Sequence, residues 1–262
     1  MIGWTEASGV AIRYSIAGPP DAPAVVLLHE LGGSLDSWRE VTTLLERSLR
    51  VLAYDQRGCG ESEKVRTPFT FADHVRDLTA LLATSSLHPP VHLAGVASGA
   101  ALAVTLAAER PDLVRSAVLC APALSVEPDR REYLRERSAT AARDGMRAIV
   151  DATLARSYPP EVRRDDGVYA QYRARFLGND PVCYGWANMA FADCDAEMLL
   201  DSVRCPCLVL AGEYDSLRPP AHVRAIANRL PGARFEVIAS GHLMSAQAPA
   251  VLAAHMLSFL CG

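Results

Sequence analysis

The segment 91–103 commits this chain to one local shape: a buried strand, a turn of very small residues, then an alanine-rich helix. Val91-His92-Leu93-Ala94 is apolar enough for an interior strand, and Ala100-Ala101-Leu102-Ala103 continues as a good helix former. Between them, Gly95-Val96-Ala97-Ser98-Gly99 has the frame of a nucleophile elbow, G-x-S-x-G, with both glycines in place and alanine at the centre. The small residues have a steric cause, because the turn is so sharp that the strand and helix backbones nearly touch. Such a turn presents residue 97 at its tip, between the strand and the helix, and alanine there lacks the hydroxyl that the serine of such an elbow would carry.

Ser98 lies one residue from that centre. Centring the elbow on it would put Val96 and Ala100 at the crowded positions, where a β-branched valine fits poorly. Ala97 is therefore read as the centre. Taken alone, five residues in alanine-rich sequence also fit an ordinary strand-to-helix turn, so the rest of the chain must decide.

With 262 residues and half of them apolar, the chain can bury one large α/β domain, or one domain with an insertion. Short apolar runs at 24–28, 50–54, 91–94, 117–120, 207–211 and 234–238 alternate with helical patterns at 34–48, 71–86, 98–109, 220–230 and 246–260. That rhythm predicts a mostly parallel sheet flanked by helices. Residues 9–15 alternate in polarity and are expected to form the edge strand of a hairpin. The rhythm breaks over 122–201, which is rich in Arg, Asp, Tyr and Ala and carries no convincing strand. The expected organisation is a core of 1–121 and 202–262 with 122–201 as a helical lid over the sheet's carboxyl edge.

A formal charge of −4 with dispersed basic residues argues against nucleic acid as a partner. No apolar run reaches the roughly 18 residues of a membrane span, and the N-terminus lacks a basic segment followed by an apolar core. A cytoplasmic protein, monomeric or homo-oligomeric, acting on a small molecule is expected. The seven cysteines include no C-x-x-C pair, and Cys205-Pro206-Cys207 has no neighbouring ligand residues, so buried free thiols are expected and no metal site.

Three further strings follow the ends of expected strands: His29-Glu30-Leu31-Gly32-Gly33-Ser34, Asp55-Gln56-Arg57-Gly58-Cys59-Gly60-Glu61-Ser62, and Gly212-Glu213-Tyr214-Asp215-Ser216-Leu217-Arg218-Pro219, the last followed by Ser240-Gly241-His242. With the elbow, they resemble the α/β-hydrolase fold family in order and spacing over nearly the whole chain. Within it, the loop through Trp38 and the segment Tyr184-Gly185-Trp186 are similar to 3-oxoadipate enol-lactonases and related ester, lactone and amide hydrolases.

The resemblance implies the chain order nucleophile, acid, histidine, hence Ala97 at the nucleophile position, Asp215 as the acid and His242 as the base. It implies an oxyanion hole of the Leu31 and Ser98 backbone N–H groups. It also makes His29, Asp55 and Arg57 structural. Glu30 replaces the usual glycine and, with Trp186, is a candidate substrate contact; alternatively Glu30 faces solvent. One arginine of the charged run 127–137 is a candidate contact for an anionic substrate, though a solvated helix face accounts for the run equally well. No cofactor is required by this chemistry.

Alanine at 97 removes the hydroxyl that the acid and histidine would activate, a loss worth on the order of 10⁶ in turnover for a serine hydrolase. Three accounts follow. The chain is a serine hydrolase inactivated by alanine in a parent Gly-Val-Ser-Ser-Gly elbow; or a lyase or decarboxylase using His242 and Asp215 as a general base; or a non-catalytic small-molecule-binding homologue.

Overall fold

The computed structural model describes residues 1–163 and 165–262; residue 164, within the 122–201 stretch, lies outside the described residues. The chain runs β1 (Ile2–Ala7), β2 (Val10–Ala17), β3 (Ala24–Leu28), α1 (Arg39–Leu45), β4 (Arg50–Tyr54), α2 (Phe71–Thr84), β5 (Val91–Val96), α3 (Ser98–Glu109) and β6 (Val114–Cys120). It continues through α4 (Pro128–Asp144), α5 (Val150–Ser157), α6 (Asp166–Leu177) and α7 (Pro181–Ala192) before returning to the sheet. The remainder is β7 (Cys207–Gly212), α8 (Pro220–Arg229), β8 (Arg234–Ile238), α9 (Met244–Gln247) and α10 (Pro249–Leu260).

Among the described residues, eight strands form one sheet in the order β1-β2-β4-β3-β5-β6-β7-β8. The first two pairings are antiparallel and all the rest parallel. β5 and β7 are buried at every residue, because helices cover both faces of a parallel sheet. Pro111 follows α3 by one turn residue, in keeping with the end of that helix at Glu109.

Three expectations need correction. The alternating stretch at 9–15 belongs to β2, which lies inside the sheet between β1 and β4. The edge is β1, joined to β2 by a two-residue turn in which Ser8 and Gly9 both take positive φ, as tight hairpins require. The helix expected at 246–260 is two helices, because Pro249 starts α10 at a position where its missing N–H costs nothing. The helix expected at 34–48 begins as a 3-10 turn over Leu35–Trp38, capped by Ser34, and only then becomes α1.

The described residues of 122–201 form helices and their linkers, with one isolated bridge among them, between Ser125 and Asp195. It leaves the sheet after β6 and rejoins at β7, so it lies beside the carboxyl ends of the central strands. No helix among the described residues is long and apolar enough to cross a membrane.

Candidate active site

The sharpest feature of the site is the backbone of Ala97, with φ 52° and ψ −114°. An L-residue with a Cβ rarely adopts this conformation, which costs on the order of 1–3 kcal/mol and persists only where the surroundings enforce it. They do so here: Ala97 N–H donates to Cys120 O at 3.0 Å, and Ala97 O accepts from Ala100 N and Ala123 N. A Cβ on Gly95 would lie 2.3 Å from the Gly99 carbonyl carbon, and one on Gly99 would lie 2.2 Å from Leu28 O. The close crossing thus falls at residues 95 and 99, and the turn between them centres on 97.

At the end of β7, Asp215 is buried and its two oxygens divide their work. Oδ1 accepts from the N–H groups of Leu217 and Arg218, while Oδ2 accepts from His242 Nδ1 at 2.8 Å. A carboxylate at Nδ1 places the proton there and leaves Nε2 of a neutral ring as the free, basic nitrogen. The His242 loop is tied on both sides: a Cβ on Gly212 would meet Gly241 O at 2.4 Å, and Gln247 accepts from Leu243 N and donates to Ser157 O.

The loop after β3 is braced by His29, whose Nδ1 donates to Glu30 O while Nε2 accepts from Gln56 N. Both ring nitrogens are engaged in scaffolding. Asp55, fully buried, accepts from Leu35 N and Glu61 N and pairs with Arg13. Arg57 forms a two-pronged pair with Asp77 at 2.6 Å for both contacts. These groups sit behind the loops and hold them.

A cavity of about 260 Å³ opens between the sheet's carboxyl edge and the inserted helices. Ala97, Ser98, Leu31, Glu30 and His242 all line it, so most of the residues singled out in sequence meet at one place. The N–H groups of Leu31 and Ser98 donate to no other described residue. Glu30 points inward: it is 2% exposed, its Oε1 accepts from Ser37 Oγ at 2.8 Å and Tyr172 Oη at 2.7 Å, and its Oε2 has no partner. Burial, and then the Glu30 carboxylate, push the Tyr172 hydroxyl well above its usual range, so it stays a proton donor.

Trp186 is absent from the cavity wall. It packs edge-on against Phe69, with ring centres 6.3 Å apart. Two residues along a helix is a rotation of about 200°, so the face of α7 that turns Tyr184 and Phe191 to the cavity turns Trp186 away from it.

The inserted helices supply two wall residues that sequence reasoning did not single out, Tyr172 and Phe176, joined by Arg218 from the Asp215 loop; Arg130 and Arg137 on the wall belong to the charged run named as a candidate anion contact, and Tyr184 to the segment that carries the resemblance. Arg218 lay within a motif already recognised, but nothing in the pattern marked it as facing inward. Tyr172 and Phe176 had no usable signal, since a lid's lining depends on how its helices pack.

Comparison with known proteins identifies the family of this fold. A family model described as alpha/beta hydrolase fold matches residues 23–249. The chain is 31% identical over 258 residues to a protein assigned as the carbamate hydrolase RutD of Variovorax paradoxus, covering 95% of this chain and 96% of the relative. It is 24% identical to 3-oxoadipate enol-lactonase 1 of Acinetobacter baylyi, covering 94% of this chain and 91% of that one. Among solved structures, the enol-lactonase from Burkholderia xenovorans LB400 superposes with a TM-score of 0.94 at 28% identity, over 99% of this chain and 100% of the other.

Proposed function

The chain belongs to the α/β-hydrolase fold family, and on that premise we propose that its cavity is the substrate site of a serine-type hydrolase of small esters, lactones or amides in which Ala97 occupies the nucleophile position. The observation that carries this reading is the backbone of Ala97. Alanine gains nothing from φ 52°, whereas a nucleophile needs that turn to stand clear of the strand and face the histidine.

With serine at 97, the roles follow from the contacts. His242 Nε2 takes the hydroxyl proton as Oγ attacks the carbonyl carbon, and Asp215 stabilises the imidazolium that forms. The carbonyl oxygen, gaining charge, is received by the N–H groups of Leu31 and Ser98. His242 returns the proton to the leaving alcohol or amine, and water then repeats the sequence on the acyl-enzyme. With alanine at 97 the substrate binds, but no acyl-enzyme forms.

The test is Ala97→Ser, assayed beside the chain as it stands on short p-nitrophenyl esters, small lactones and N-acyl amides. The serine variant is expected to gain about 10³-fold or more in kcat/KM on one of these classes, with the further substitution His242→Ala abolishing the gain. A folded Ala97→Ser variant no faster than its parent overturns the reading. Turnover by the alanine chain that depends on His242 would instead identify the histidine as a base acting on water or on a substrate proton.

A further inference from the structure

Among the described residues, nine buried side-chain polar atoms have no hydrogen-bond partner, and three of them belong to residues lining this one cavity: Glu30 Oε2, Arg137 Nε and Arg218 Nε. A buried polar atom without a partner costs roughly 1–3 kcal/mol, so a concentration of them in a cavity marks what its occupant must supply. The two kinds of atom ask for opposite things. The guanidinium groups need an acceptor, and the carboxylate oxygen needs a donor.

The rest of the wall strengthens the first requirement. Arg130 and Arg156 also line the cavity, and none of the four arginines forms an ion pair with a described carboxylate. Arg137 is positioned by a contact to Asn188 Oδ1 and by the Tyr133 and Tyr184 rings, none of which neutralises it. The Arg218 side chain bonds to two backbone carbonyls, those of Leu217 and Ser125, and to no carboxylate among the described residues. Burial pulls its pKa down from the usual value, as expected for a cation deprived of water and of a full counter-charge. Glu30, in turn, is fixed through Oε1 by Ser37 and Tyr172, which leaves Oε2 free to accept.

We propose that this cavity selects a small N-acyl amino acid, whose carboxylate is held by Arg137 and Arg218 and whose amide N–H donates to Glu30 Oε2. The proposal rests on reading the cavity as the substrate site and narrows the class of substrate. A neutral ester leaves both arginines unmet. An anionic ester or lactone satisfies the arginines but leaves Glu30 facing an oxygen.

Because alanine at 97 prevents turnover in this reading, binding to the chain as it stands is measurable at equilibrium by titration calorimetry. The probes are the N-acetyl derivatives of glycine, β-alanine and 4-aminobutyrate, their methyl esters, and the matching O-acetyl hydroxy acids. At least one N-acetyl amino acid is expected to bind about tenfold or more tightly than both its methyl ester and its O-acetyl counterpart. Arg137→Gln and Arg218→Gln should each erase the advantage over the methyl ester while sparing that over the O-acetyl acid. Glu30→Gln, which offers an amide donor where Oε2 accepted, should erase or reverse the preference for N–H over oxygen.

Should Arg137→Gln fail to fold, Arg218→Gln and Glu30→Gln decide the matter alone. Equal binding of acid and methyl ester, no saturable binding by any probe, or variants that weaken all probes alike would overturn the proposal. Its fate is separable from that of the hydrolase reading. An Ala97→Ser variant that cleaves neutral esters without preferring anionic amides overturns only the substrate class. Selective binding with no turnover by that variant upholds the class and overturns the hydrolase.

Discussion

The sheet and the inserted helices are held together by different materials. Around the sheet, the buried cluster is aliphatic and alanine-rich, with Val25, Val26, Leu27, Leu93, Val118 and Leu208 near zero exposure. The helical cluster around α5–α7 is smaller and rests on rings: Tyr158, Tyr172, Phe176 and Tyr184, with ring pairs at 5.5–5.7 Å, joined by Leu243 beside the candidate base. An aliphatic core is satisfied by volume alone, whereas a tyrosine core carries hydroxyls that must find partners. The sheet half therefore fixes backbone, including the strained turn at Ala97, and carries Glu30, Arg218 and His242 into the cavity, where the inserted half adds Arg137 and, through the Tyr172 hydroxyl, orients Glu30.

That contrast is broken or sharpened most strongly by glycine substitutions. Gly99→Ala would drive a Cβ to 2.2 Å from Leu28 O, where only backbone can give way. It is expected to cost about 4–5 kcal/mol or to abolish folding. Gly145→Ala, after α4, meets nothing within 4 Å but sits at φ 82° and ψ 168°, a region nearly confined to glycine, and should cost about 2–3 kcal/mol. Urea denaturation compares them. A Gly99→Ala protein as stable as Gly145→Ala would show that the strand and helix do not cross closely at the elbow.

Next in size are two ion pairs, one in each half. Asp77→Ala removes the carboxylate that accepts both short contacts from Arg57, whose side chain is 9% exposed, and leaves it Asp73 at 3.8 Å. The expected loss is about 3–5 kcal/mol. Asp151→Ala breaks the Arg173 pair between α5 and α6, where Asp151 is 77% exposed, and should cost under about 1 kcal/mol. Similar losses at the two sites would dissolve the distinction between a rigidly braced sheet half and a more loosely tied insertion.

Acid sensitivity should also belong to the sheet half, since residues 122–201 contain no histidine. Burial and then the charge of Arg57 pull His74 down to about 3; burial and Arg115 pull His92 down to about 4. Both are held neutral in the fold, while the unfolded chain takes up protons at the ordinary histidine value near 6.5. Their contribution is thus complete above that pH and is lost as pH falls from 6.5 toward the folded values. The melting temperature should drop between pH 6.5 and 4.5, and His74→Leu should shrink that drop. An unchanged slope would place the acid sensitivity elsewhere.

How far the sequence could be read divides along the same line. All six strands that pair in parallel are legible as short apolar runs, and the elbow and the Asp215 and His242 loops as motifs, because each depends on local backbone demands. β1 escaped because three of its first five residues are exposed and it has no apolar run. Glu30 was left between cavity and solvent, since its inward turn depends on Tyr172, 142 residues away. Trp186 was placed by similarity of a segment, while its direction depends on helix rotation. Side chains whose direction is set by tertiary packing are not written in local pattern.

The smallest expected effect tests the role given to the tyrosines. Tyr172→Phe keeps the ring against Tyr158, 5.7 Å away, and removes only the hydroxyl that donates to Glu30 Oε1. Ser37 Oγ still donates to that oxygen, so the stability loss should be about 1 kcal/mol, within the range for a single hydrogen bond. If the insertion's rings serve chiefly to position polar groups, ligand selectivity in the cavity should change more than stability does. Calorimetric binding of N-acetyl amino acids beside a melting curve for the same variant separates the two. A large loss of stability with unaltered selectivity would mean that the hydroxyl holds the insertion to the sheet, and that Glu30 keeps its orientation without it.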